Sequence, residues 1–218
     1  MPHSFRTAPL HRVGIAATLL LAGLGSALAQ TATKPEEPPR LTCTGPFGAD
    51  ASHASITEIV GKENAIFTKV DGAEGEKVAA TVLFPKNPQR RLELMWADDK
   101  KRRGLVNVRL SEKSTWAAPN GLRIGMTLAE VEKANGRAFV LSGFDWDYGG
   151  YVTDWKGGAL DAPIKGGCTV SVRFTVPDGA PEAAASEVSG DREIPSTDKN
   201  MRAVKPVIGT LSFGFPQP

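Results

Sequence analysis

The residues best equipped for chemistry stand close together in the second half of the chain: Asp145, Trp146, Asp147 and Tyr148, then Gly149-Gly150, then Tyr151 and Asp154. A Gly-Gly pair between two alternating aromatic runs signals a two-residue β-hairpin. Pairing outward from that turn sets Tyr148 opposite Tyr151, Trp146 opposite Thr153 and Asp145 opposite Asp154. One face then carries Phe144, Trp146, Tyr148, Tyr151 and Trp155, and the other carries Asp145, Asp147 and Asp154. Such a hairpin fits several roles. The aromatic face can be core, with Trp146 buried beside Phe144 and Trp155 and the aspartates left in water. The acidic face can hold a cation or a basic group of a partner. The aromatics can form a platform for a sugar or peptide, with the aspartates accepting hydrogen bonds. Two of the aspartates can also serve as the acid and base of a hydrolase. A calcium loop does not fit, because position 12 counted from Asp145 is Lys156 where a bidentate Glu belongs.

The rest of the composition narrows the chemistry. His3 and His11 fall in the leader discussed below, which leaves His53, in Ala51-Ser52-His53-Ala54-Ser55. A zinc site on paired histidines is then out of reach, and Cys43 and Cys168 are spaced wrongly for a ribbon or finger. No phosphate loop or nucleophile elbow is present, so neither metal nor cofactor is expected and His53 reads as a surface or capping residue. Two cysteines in an exported chain are expected to pair as Cys43–Cys168.

Export is expected from the first 29 residues. Arg6 and Arg12 form a positive lead, an apolar run follows from Val13 to Leu24, and Ala27 and Ala29 supply the small residues of a cleavage site before Gln30. The run is shorter than the roughly 20 residues of a membrane span, so a periplasmic or secreted protein with no span after cleavage is expected. The chain has 26 Lys+Arg and 24 Asp+Glu; the leader holds two of the bases and no acid, so the remainder carries no formal net charge. That balance argues against a nucleic-acid partner. The basic run Lys100-Lys101-Arg102-Arg103 follows Asp98-Asp99 and reads as a solvated loop.

The elements that must position the candidate residues lie downstream of a Pro-rich lead-in, residues 30–40. Residues 41–218 are the length of one domain. Ser55 followed by Glu58 reads as a capping box opening a short helix, with strands at 65–70, 78–84, 92–96 and 105–110. Thr127 and Glu130 make a second capping box, with Gly136 as the stop, then a strand at 138–141 and the acidic hairpin. Helix, strand, hairpin and Trp thus occur twice, ending at Trp96 and Trp155, as two degenerate units of one repeat. Strands at 169–176 and 207–215 close the sheet, the excursion 177–195 reads as a loop, and Ser196 is expected to cap a last helical turn. The fold class expected is α+β, a mainly antiparallel sheet with two short helices.

The entry Gly121-Leu-Arg-Ile-Gly-Met-Thr-Leu-Ala-Glu-Val131 resembles the helix opening of small envelope proteins of the SmpA/OmlA and β-lactamase-inhibitor-like type. That resemblance implies α+β helix–sheet units that work by binding other proteins. The stretch from Asn135 to Phe139 and from Gly143 to Gly150 is similar to a family of exported bacterial proteins of unknown function. The function expected is therefore a non-enzymatic binding or protein-interaction domain, its partner another envelope protein or a glycan. The alternative is an envelope hydrolase using Asp145, Asp147 or Asp154.

Overall fold

Short alternating stretches dominate the middle of the chain, and period-2 alternation makes strands. In the computed structural model, which describes residues 1–3, 39–72 and 75–216, β1 (Ala65–Asp71), β2 (Lys77–Leu83), β3 (Leu92–Asp98) and β4 (Arg103–Leu110) form an antiparallel meander. Strands β7 (Thr169–Thr175) and β9 (Val207–Gly214) complete a six-stranded sheet in the order β1-β2-β3-β4-β9-β7. A separate three-stranded sheet, order β6-β5-β8, is built from β5 (Val140–Ser142), β6 (Val152–Asp154) and β8 (Glu193–Pro195). The fold is α+β. Of the two units expected from the sequence, the first lies in the large sheet and the second supplies β5 and β6 of the small one. The expected signal peptide and most of the lead-in lie outside the described residues. The last lead-in residues are held: Pro39 O accepts from Ala117 N at 3.0 Å.

Four short helices are described. The first, α1 (His53–Val60), starts before the expected Ser55. Ser52 is its N-cap, exchanging hydrogen bonds with Ser55, so Ser55 is the third helical residue and Glu58 is left exposed. The second, α2 (Leu128–Asn135), has the Thr127–Glu130 box and left-handed Gly136 that its sequence specifies. The excursion after Pro177 is not a plain loop. Its Glu-Ala-Ala-Ala-Ser-Glu stretch is made of good helix formers and folds as α3 (Glu182–Glu187), after which fully buried Val188 enters the core and β8 joins the small sheet. Asp198, not Ser196, caps α4 (Lys199–Ala203). Ser196 is buried and accepts instead from Phe139 N at 3.1 Å. Among the described residues no helix is long and apolar enough to cross a membrane.

The core fills one face of the large sheet. Leu94, Val108, Val172, Phe174, Leu211 and Phe213 meet Leu128 and Val131 of α2, Met201 of α4 and Leu141 of the small sheet. Phe139 bridges the two sheets, its ring 5.2 Å from Trp155 and 5.8 Å from Phe174. Cys43 and Cys168 are bonded as expected, both buried, with Cα atoms 5.8 Å apart. The chain returns to Cys168 through Gly166 at φ +102°, where a Cβ would stand 2.2 Å from Cys43 O.

Candidate functional site

The face of the large sheet opposite the main core carries a small buried cluster of Val70, Ala80 and Val82 over β1 and β2, and the candidate residues gather beside its β4, β9 and β7 half. β5 and β6 pair as Val140↔Asp154 and Leu141↔Val152, so residues 143–151 form a long connecting loop and not the two-residue hairpin expected at Gly149-Gly150. The reason is competition for backbone groups. Gly143 N donates to Arg192 O, Phe144 N to Val188 O, and Gly190 N to Phe144 O, each at 2.8 Å, so these groups cannot also pair across a hairpin. Asp145 then adopts a positive φ of 63°, which ends any strand.

The expected faces are redistributed accordingly. Asp145 is exposed and its carboxylate accepts from Ser189 Oγ. Trp146 is half-buried, with Nε1 donating to Gly143 O at 2.9 Å and its ring edge-on to Tyr148 at 5.6 Å. It lies outside the hydrophobic core that Phe144 and Trp155 join. Its expected place in that core is corrected, because the indole is held to the loop's own backbone. Asp147 is exposed, and Tyr148 is 66% exposed, the largest aromatic surface offered to solvent among the described residues. Tyr151 is half-buried with the Arg173 guanidinium 5.3 Å from its ring centre. Asp154 lies apart at the hairpin base, bonded to Lys156, whose side-chain and backbone donors hold its carboxyl below the ordinary carboxylate range. The three aspartates therefore share no face.

The loop is held in one shape. Ser142 Oγ donates to Tyr148 O, Tyr151 N donates to Ser142 Oγ at 3.1 Å, and Arg173 Nε donates to Gly149 O at 2.7 Å. Gly150, at φ +80°, lets the loop reach β7: its carbonyl accepts from Phe174 N, and a Cβ would lie 2.3 Å from Phe174 O. The loop separates two depressions. One, of about 760 Å³, is lined by Phe144, Asp145 and Trp146 with the facing ends of β7 and β9. The other, of about 780 Å³, lies over the open sheet face between Tyr148, Tyr151 and the β1–β2 turn.

The floor of that second groove was not singled out from the sequence. Glu93 of β3 binds two guanidinium groups, one oxygen accepting from Arg91 Nη2 and the other from Arg109 Nε, both at 2.7 Å. Arg109 also donates to Asp71 O at 2.6 Å. Register places Arg109 opposite Ser212, and Arg173 opposite Thr210, on the same face. Polar residues at alternate strand positions are the only signal in the sequence. The β3–β4 pairing sets Arg109 beside Glu93, but bringing Arg173 to the same floor depends on β9 inserting between β4 and β7, which local patterns do not encode.

His53 sits elsewhere, at the first position of α1, with Nδ1 3.0 Å from Thr81 Oγ1. That buried hydroxyl also accepts from Trp96 Nε1 at 3.0 Å. Partial burial and then the Arg102 charge push the His53 pKa down. Among the described residues no group of three or more His, Cys, Asp or Glu comes together to hold a metal ion. Comparison with protein-family models, with curated proteins and with solved structures finds no match to this chain.

Proposed function

We propose that this chain is an exported, non-enzymatic binding protein whose recognition surface is the 143–151 loop and the groove it walls. The observation that carries this reading is a pinned loop presenting an exposed aromatic: Tyr148 stands in solvent on a backbone held from both sides. An aromatic shown on a rigid support is what a binding surface needs, because little conformational freedom is lost on contact. The buried Cys43–Cys168 bond supports work in an oxidising compartment such as the periplasm. The likeness of the Gly125-Met126-Thr127 helix entry to protein-binding envelope modules points the same way. A carboxylate hydrolase is less well supported. Its two carboxyl groups need to face one bond from roughly 5–9.5 Å apart, whereas Asp145 and Asp147 line different depressions and Asp154 is paired with Lys156.

A photo-crosslinking residue placed at Tyr148 and, as a control, at exposed Ile59 on α1 tests this in living cells. The expected result is a discrete adduct from position 148 and none from position 59. Equal labelling at both positions, or none at either, would overturn the proposal.

A further inference from the structure

We infer that the groove over the open sheet face takes a small carboxylate-bearing sugar, its acid group on the arginine floor and its ring against Tyr148. The inference rests on the binding-protein reading and names its ligand class. The floor contains more cation than it neutralises. Arg91 and Arg109 share the single carboxylate of Glu93, whose side chain is 14% exposed. Arg173 gives one N–H to Gly149 O and lies beside the Tyr151 ring, and it has no carboxylate partner among the described residues. Two strand spacings separate β4 from β7 and the register offsets the two residues by two positions, so Arg109 and Arg173 are based roughly 12 Å apart on the face.

Acidic residues also line the groove, but they differ in depth. Asp71, Glu112 and Asp147 are exposed and Asp71 is paired with Lys77, whereas the three arginines are half-buried. Water and salt screen exposed charges far more than partly buried ones, so the field inside the groove follows the arginines. Guanidinium forks match carboxylate geometry in pairs of hydrogen bonds. Around them stand hydroxyl and amide groups, Thr210, Ser212 and Asn107, suited to a polyhydroxylated ligand. The volume of about 780 Å³ is that of a small-ligand pocket. A large protein partner fits less well, since among the described residues from Pro39 onward the other exposed large apolar side chains are Ile59 of α1 and Ile66 of β1, and neither lines this groove.

Calorimetric titration of the full chain with trigalacturonate, its methyl ester and triglutamate tests the assignment. Trigalacturonate should bind, and more weakly as salt rises. Its neutral ester should bind about tenfold more weakly, the loss of one charge-assisted pair. Arg109→Gln and Arg173→Gln should each weaken trigalacturonate about tenfold, measured at a temperature where the variant's own thermal melt shows it folded. Glu93→Gln should do the opposite and tighten it, because the competing carboxylate is gone while an acceptor oxygen remains. A merely structural ion cluster gives no such gain. Equal binding of acid and ester, tighter binding of triglutamate, or weaker binding by Glu93→Gln overturns the inference. If no saccharide binds but position 148 still crosslinks, the sugar assignment falls and the binding-protein reading stands. If both fail, both fall.

Discussion

Asn135 ties the chain that leaves β6 to the end of α2, and its removal should be costly out of proportion to its size. It ends α2 fully buried. Its amide nitrogen donates to Trp155 O at 2.9 Å and Arg137 O at 3.1 Å, and its oxygen accepts from Leu160 N at 3.1 Å. Each buried hydrogen bond contributes on the order of 1 kcal/mol net, so Asn135→Ala should destabilise by about 3 kcal/mol. For a chain of this size that lowers the melting temperature by roughly 6–12 °C. Asn135→Asp is nearly isosteric and separates packing from donors. Its second oxygen would face two carbonyl oxygens where the amide donated, in a buried site that penalises charge. The carboxyl should then take up a proton in the folded state above the unfolded value near 3.9. The folded chain binds more protons there, so the deficit against the parent should shrink as pH falls from 7 to 4. Thermal melts of parent and both variants across that range give the answer. If Asn135→Asp melts with the parent at pH 7, or its deficit is independent of pH, this account of the Asn135 anchor is wrong.

Replacing both Cys43 and Cys168 by Ala frees a loop of 125 residues and should cost up to about 5 kcal/mol in the chain-entropy treatment, read as a lower urea midpoint at unchanged fold. His53 takes its proton near 6.5 when unfolded and only at lower pH when folded. Over that window the unfolded chain binds more protons, so stability should decline as pH drops below about 6.5, and His53→Gln should flatten the profile. Trp146→Ala should cost about 1–2 kcal/mol, below the 3–5 kcal/mol of a core aromatic, because the indole packs on its own loop. A loss as large as that of Phe139→Ala would return Trp146 to the core. Asp145→Asn should melt with the parent, since Asn tolerates the positive φ and keeps an acceptor for Ser189.

Local signals were legible in the sequence where one interaction decided the outcome. The box at Thr127 and Glu130 with the stop at Gly136 set α2 to the residue, and alternation located the strands of the large sheet to within a few positions. Ser55 misled because Ser52 offers the same chemistry one turn earlier, and a serine can close a capping box as well as a glutamate. The Gly149-Gly150 hairpin misled for a tertiary reason. Its partner groups were claimed by residues 188–192, whose approach depends on a helix, α3, in a stretch that reads as loop. The arginine floor was illegible for the same kind of reason. The β3–β4 pairing already sets Arg91 and Arg109 about Glu93, but Arg173 joins them only when β9 slips between β4 and β7, a pairing across about a hundred residues of chain.

The same long-range pairing ties the loop to the groove. Arg173 stands on β7 on the sheet face that carries Arg109, with one hydrogen bond to the loop carbonyl of Gly149 and its guanidinium beside Tyr151. The loop that closes β5 onto β6 combines a left-handed Asp145, Gly150 packed against the β7 backbone and a tyrosine left in water. Residues in sparsely populated backbone regions persist where surrounding bonds over-determine them, and such places concentrate at recognition sites. Here those bonds fix Tyr148 and Tyr151 as one wall and Arg173 as the adjoining floor. On the binding reading proposed above, a ligand that engages the arginines meets the tyrosines without a change of shape, and loosening the Gly149–Arg173 contact should weaken its binding at both.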